Sequence, residues 1–314
     1  VRAARIHEWN GTPVVDEVAP PARASGETLV RVDAATVSHL DLTVSYGDFD
    51  LAPALPYVPG CEGAGTVIAS DTLPTGTQVI FRDGAVGLDR DGTWQEQICV
   101  PDEALMALPV ALEPALAATF FVPTTTAAVA LFDIGRLTAD QTVIVTGATG
   151  AVGSVAVQLA HNAGARVIAV VSRESRLSSL PPDVLGVALD DEESIAKLAT
   201  ERSADLLVDT IGGARLGHRL GWLAAGGAVV CVGYTAGQDF AVDLPNWLLS
   251  DVAILPVNLM RREAAARQYA HELLPRIADG TLSIAVDPYP LDEVATAWTR
   301  LQQGKLNGRA VIRL

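Results

Sequence analysis

VTGATGAVGSVAVQLA, residues 145–160, runs from a β-branched segment into an apolar helical pattern through Gly147, Gly150 and Gly153, spaced three apart. A strand that turns at once into a helix needs backbone angles and close approaches that a side chain obstructs, and glycine permits both. The first turn of such a helix offers unbonded N–H groups and a favourable dipole to an anion. The stretch therefore predicts a strand–turn–helix in which Gly147, Gly150, Ala151, Val152 and Gly153 cradle the pyrophosphate of a dinucleotide. A tight turn packed without any ligand is the plainer alternative; the strand before it and the helix after it favour the ligand.

Toward the C-terminus the alternation continues. RVIAVVS, GVALD, ADLLVDT, GAVVCVG and VAILPV read as apolar strands, and RESRLSSL, DEESIAKLATE and ARLGHRLGWLAA between them as helices. Such alternation makes a parallel sheet covered on both faces. A long helix follows, RREAAARQYAHELLPRIADG, then a strand, a helix in LDEVATAWTRLQQG and a last strand in RAVIRL. Toward the N-terminus, EPALAATFFV and TTTAAVALFDIG read as two helices. Before them, ETLVRVDAATV, GAGTVIAS, TQVIF and QEQICV are short β runs punctuated by ALPYVPG and LPTGT, the pattern of a small curved antiparallel unit. The expected fold class is α/β, a Rossmann doubly wound parallel sheet plus a β-rich domain.

Acidic residues outnumber basic ones 37 to 22, giving a net charge of −15. That balance argues against nucleic acid and against an anionic membrane, which both reward a basic face. With 49% hydrophobic residues the chain can build sizeable cores, and its length suits two domains. Cys61, Cys99 and Cys231 are far apart and odd in number, so no disulfide framework is expected. With no apolar leader and no run of 18 apolar residues, the expectation is a cytoplasmic protein.

The tip of the strand after the glycine turn bears on which dinucleotide binds. An acid there accepts hydrogen bonds from the ribose hydroxyls of NAD. Here a neutral Ser172 is followed by Arg173 and Arg176, and guanidinium groups pair with a 2′-phosphate, so the expected cofactor is NADPH. Glu174, and Asp190 further on, count the other way, because an acid facing that phosphate repels it. A solvated helix start is the plainer reading of the arginines.

PYVPGCEGAGTV, VIVTGATGAVGSVAVQLA, LLVDTIGG, GGAVVCVGY and the GRAVIRL ending together resemble the medium-chain dehydrogenase/reductase superfamily, specifically its zinc-free quinone oxidoreductase branch, over nearly the whole chain. The resemblance implies a GroES-like catalytic domain over residues 1–122, completed by 259–314, and a Rossmann domain over 123–258, with the cofactor in the cleft between them. It implies a homodimer joined through the Rossmann domains, with LPNWLLSDVAILPV as the candidate interface and ordinary core as the equal alternative. By the same likeness Thr126, Gly233, Tyr234 and Asn258 stand near the nicotinamide, a helix-start cap being the plainer reading of Thr126.

Two departures matter. Where zinc-dependent relatives carry a Cys-His pair and a Gly-His-Glu, this chain reads Ser38-His39 and Gly60-Cys61-Glu62, and their four-cysteine lobe is missing. The set does not make a closed zinc site, so no metal is expected. Where the branch places an Asn and a Tyr beside the nicotinamide, this chain has Ser38 and Thr43; Tyr46, three residues on, is the candidate replacement phenol, with a packed aromatic near a loop as its plainer reading. Asp41 is read as a cap or backbone acceptor rather than an acid–base group.

The expected function is metal-free, NADPH-dependent hydride transfer to a quinone or an α,β-unsaturated carbonyl. An enoyl-thioester reductase and a non-catalytic NADPH-binding protein are the alternatives. A short-chain dehydrogenase is excluded because Tyr234, Tyr269 and Tyr289 are followed four residues on by Gln238, Leu273 and Glu293, never the lysine that chemistry needs.

Overall fold

The N-terminal β-type runs form strands β1 (Arg2–Arg5), β2 (Val14–Glu17), β3 (Glu27–Val37), β4 (Glu62–Ala69), β5 (Gln78–Arg82), β6 (Gln97–Pro101) and β7 (Leu105–Ala107), most of them buried at their centres. The near-continuous apolar runs further on produce β8 (Thr142–Thr146), β9 (Arg166–Val171), β10 (Leu185–Ala188), β11 (Ala204–Asp209), β12 (Leu223–Cys231) and β13 (Ala253–Pro256). The tail adds β14 (Val286–Pro290) and β15 (Arg309–Arg313). Helices α1 (His39–Ser45), α2 (Pro114–Ala128), α3 (Ala151–Asn162), α4 (Glu192–Glu201), α5 (Leu216–Arg219), α6 (Leu244–Ser250), α7 (Glu263–Ala278) and α8 (Val294–Gln302) lie between them. The computed structural model describes residues 1–47, 53–82, 85–306 and 308–314.

Val1–Phe121 and Ile284–Leu314 form one unit, Val122–Ser283 the other. In the first, the described strands form a seven-stranded sheet of order β14-β15-β3-β4-β5-β7, with β6 also on β3. The tail enters this sheet when β15 pairs antiparallel with β3, Ala310 opposite Val37. Trp94 and Trp298 meet edge to face at 5.7 Å, and the Trp94 indole donates to the Thr36 carbonyl at 2.8 Å, so the tail helix α8 and the N-terminal strands share one core. The second unit holds a six-stranded sheet of order β10-β9-β8-β11-β12-β13, parallel throughout. That order reverses direction between β8 and β11, the doubly wound arrangement expected.

Four details differ from the sequence reading. The two helices expected around Pro123 are one, α2, continued by a π-helical turn over Val129–Ile134. This 21-residue stretch is long and apolar enough to cross a membrane by composition, but 83% of its apolar window is buried inside the fold. RESRLSSL forms only a 3-10 segment, Glu174–Ser179, with none of its residues buried, so no packing stabilises a full helix. ARLGHRLGWLAA yields the short α5 and a 3-10 turn before β12 starts at Leu223. Finally, the chain returns to the first unit at Ile284 rather than 259. Helix α7 stays with the second unit because Tyr269 packs on Phe132 at 6.4 Å and Arg262 pairs with Asp133, while the Gln158 amide exchanges hydrogen bonds with the Ser283 backbone.

Candidate functional site

The glycine turn sits at the C-terminal end of β8, beside the point where the sheet reverses. Gly147 has φ +59°, and a Cβ there would collide with the Thr210 hydroxyl, which itself donates to the Thr146 carbonyl at 2.8 Å. Gly153 lies against the Gly147 carbonyl so closely that no side chain fits. Gly150 differs: it is exposed, adopts an ordinary φ of −80°, and a Cβ there would meet only the Gly147 oxygen, at 3.1 Å. It is the N-cap of α3 and offers no side chain to the first-turn N–H groups, leaving those of Ala151, Val152 and Gly153 without an intrahelical partner. Gly147 and Gly153 thus shape the turn, and Gly150 leaves its mouth open to an anion. This cradle fits a dinucleotide diphosphate.

At the tip of β9, Ser172 and Arg173 are exposed and Arg176 is half-buried. Asp190 reaches this tip too, but its Oδ1 accepts from the Glu174 backbone N–H at 3.0 Å, so the carboxylate serves the 3-10 turn. Thr126 is buried in α2. Gly233 follows β12 and packs its Cα on the Thr210 carbonyl; Tyr234 beside it is 49% exposed. Asn258 follows β13, is exposed, and accepts from the Arg261 N–H at 3.0 Å. Ser172, Gly233, Tyr234 and Asn258 follow the C-terminal ends of β9, β12 and β13, the side where such sheets bind ligands, whereas Thr126 lies within α2.

Sequence reasoning missed the group that holds these loops. Asp209, 1% exposed at the end of β11, takes the Arg219 guanidinium at 2.6 and 3.2 Å and the N–H groups of Ile211 and Gly212 at 3.2 and 2.6 Å. Arg219 also donates to the Gly212 carbonyl at 2.6 Å. Gly212 and Gly213 then lie against the backbone of Tyr234 and Ala236 with no room for a Cβ. An acid closing the apolar run ADLLVD was the available signal; its arginine, ten residues on, was not legible.

In the first unit the candidate catalytic residues gather on α1. Ser38 is its N-cap, and both its hydroxyl and its backbone N–H donate to Asp41 Oδ2 at 2.7 Å. Asp41 Oδ1 accepts from the Cys61 N–H at 3.2 Å. Burial pushes the Asp41 carboxyl upward, the hydrogen bonds opposing it. Thr43 donates back to the His39 carbonyl at 3.0 Å, and Tyr46, the C-cap, is 44% exposed. Tyr57, close enough to feel Asp41 and Cys61, is buried, its hydroxyl has no partner among the described residues, and its pKa is driven up by burial.

The donor set at the position of a dehydrogenase zinc does not fit the metal. The Ser38 hydroxyl is spent on Asp41, burial drives the Cys61 thiol well up, and Glu62 is paired with Arg309. Zinc needs a thiolate, imidazole or carboxylate free to bind it. Among the described residues no group of three such side chains is placed to hold a metal.

A parallel sheet with an uncapped glycine turn at its reversal point, joined in one chain to a curved antiparallel unit closed by the C-terminal tail, is the architecture of a two-unit nicotinamide-nucleotide oxidoreductase. The alcohol dehydrogenase GroES-like domain family matches residues 24–110, the zinc-binding dehydrogenase family 186–312, and the NAD dependent epimerase/dehydratase family 143–220, across the glycine turn. The human synaptic vesicle membrane protein VAT-1 homolog is 32% identical, covering 94% of this chain and 80% of its own. Rat quinone oxidoreductase is 26% identical, over 95% and 92%. The quinone oxidoreductase of Thermus thermophilus, solved alone and with NADPH, superposes with a TM-score of 0.82 at 27% identity, covering all of both chains. The chain belongs to the medium-chain dehydrogenase/reductase superfamily and is quinone oxidoreductase-like.

Proposed function

We propose that this oxidoreductase uses NADPH to reduce a quinone or an α,β-unsaturated carbonyl, without a metal. The observation that carries the reading is the open α3 N-terminus at Gly150, in a relative of quinone oxidoreductases. Bound there, NADPH supplies a hydride, and every other part is the protein's. The N–H groups of Ala151, Val152 and Gly153 take the diphosphate. Ser172, Arg173 and Arg176 take the 2′-phosphate; support comes from the two guanidinium groups at this tip and from the NADPH complex of the Thermus relative, with Asp190, its Oδ1 accepting from the Glu174 N–H, an acid that opposes them there. Thr126, Gly233, Tyr234 and Asn258 border the nicotinamide end. Ser38, Thr43 and Tyr46 are the first unit's candidates to meet the acceptor, whose reduced oxygen or carbon takes its proton from water or from the exposed Tyr46 phenol, the hydroxyls of Ser38 and Thr43 already donating to Asp41 and the His39 carbonyl. With the donor set tied to Asp41 and Arg309, the acceptors favoured are those that take hydride without Lewis-acid help.

The working form is a homodimer. Strand β13 is the edge of the parallel sheet, and Leu244, Leu248 and Leu249 of the adjoining α6 are 56, 65 and 84% exposed. An open edge beside exposed leucines supports a second copy pairing there.

The test is NADPH oxidation by purified, chelator-treated protein with a panel of quinones and enones and NADH as control. Turnover that survives the chelator and prefers NADPH supports the reading. Binding of NADPH with no turnover of any acceptor moves the protein to a non-catalytic role.

A further inference from the structure

The loop after β1 carries an indole in an unusual setting. The turn Glu8–Gly11 is closed by Gly11 N–H donating to the Glu8 carbonyl at 2.9 Å, and Asn10 takes φ +62° within it. The Asn10 N–H donates to the Ser45 carbonyl at 2.8 Å, which ties the turn to the C-terminal end of α1. The Trp9 ring rests on Gly47: a Cβ there would lie 2.8 Å from Cδ2 and 3.0 Å from Cγ. The Tyr57 ring stands 6.1 Å from it, centroid to centroid, inclined by 40°. Trp9 is thus held by a pinned turn, a glycine and a core aromatic, yet keeps 36% of its surface in solvent. Trp94 and Trp298 in the same unit are by contrast almost fully buried.

The position matches the candidate site from two directions. Tyr46, also exposed, immediately precedes the glycine that supports Trp9. Tyr57 links the indole to the buried polar cluster of Asp41 and Cys61, and its own hydroxyl has no partner among the described residues. Ser38 caps the start of α1 and Tyr46 its end, so the two stand about 12 Å apart at 1.5 Å per residue. An acceptor bound at the Tyr46 end of α1 would have its ring beside Trp9.

Resting on the proposed reductase function, we infer that Trp9 is a specificity-determining residue, a fixed aromatic wall that selects planar conjugated acceptors over small aliphatic enones. A rigid π-face gains from a stacked or edge-on ring what an aliphatic chain cannot supply, and preorganisation spares the cost of ordering the wall on binding.

The experiment compares Trp9→Phe, Trp9→Leu and Trp9→Ala with the wild type on 1,4-naphthoquinone and on 3-buten-2-one. The expected result is a KM for the quinone raised about tenfold in W9L and W9A, kcat little changed, W9F within about threefold of wild type, and the butenone KM unmoved in all three. Because W9L keeps most of the apolar bulk, it separates stacking from mere covering of Tyr57. Equal losses on both acceptors, or full quinone activity in W9L, overturn the wall. If the wild type turns over neither acceptor, the reductase reading fails by itself. Calorimetric titration with 1,4-naphthoquinone still decides the wall, which stands if W9F binds and W9L does not, and falls if they bind alike.

Discussion

Arg90 and Glu27 show how a single pair couples this fold to pH. The guanidinium donates to Glu27 at 2.5 Å and to the Cys99 carbonyl at 3.3 Å, and Glu27 is only 17% exposed. The hydrogen bond from Arg90 holds the Glu27 carboxyl below its ordinary 4.5. A carboxyl with a lowered folded pKa stabilises above its unfolded value and loses that contribution as pH falls through the folded one. Arg90→Met should therefore cost about 1 kcal/mol at pH 7 and much less at pH 3, read from thermal midpoints of mutant and wild type at both values. At the β9 tip, Arg173→Ala with Arg176→Ala should raise the Kd of NADPH about tenfold and leave NADH nearly unchanged. Equal effects on both nucleotides in equilibrium titrations would remove the 2′-phosphate assignment. Residue chemistry at this scale was partly legible beforehand. Asp41 was expected to accept local hydrogen bonds and does so from Ser38, but its third donor, the Cys61 N–H, comes from a distant segment and could not be seen.

The strand–turn–helix around β8 and α3 separates two kinds of glycine, and that separation is testable. Gly150→Ala adds a methyl where only one oxygen lies near, so its thermal midpoint should stay within about 4 °C of wild type while NADPH binding weakens as the methyl meets the diphosphate. Gly153→Ala places a carbon inside the Gly147 carbonyl and should lose both stability and binding. A G150A variant that binds NADPH as well as wild type would mean the diphosphate lies elsewhere. The three glycines were readable from spacing alone because a strand–turn–helix is a local event, governed by neighbouring residues. The 3-10 segment at Glu174–Ser179 and the unbroken α2 were not, since the first lacks buried residues and the second is sustained through Pro123 by burial.

For the whole molecule, assembly is the property most open to experiment. Leu248→Asp with Leu249→Asp puts charge on the exposed face of α6 without touching a buried residue, and should shift a dimer to monomer in sedimentation equilibrium. Unchanged mass would place the interface off this face. The partition of the chain is also a whole-molecule property. Composition and alternation announced two kinds of domain, yet α7 belongs with the parallel unit through Phe132, Asp133 and its neighbour Ser283, contacts separated by more than a hundred residues.

By itself, then, the sequence determined what depends on short range: the parallel alternation, the glycine turn and the basic tip after β9. Only the tertiary structure decided that Glu62 meets Arg309 across 247 residues, that Asp209 and Arg219 brace the loops beyond the sheet, and that Trp9 lies on Gly47. The reason is physical. Local periodicity is written by neighbours along the chain, whereas a buried ion pair or a pinned indole exists only where desolvation and packing bring distant segments together.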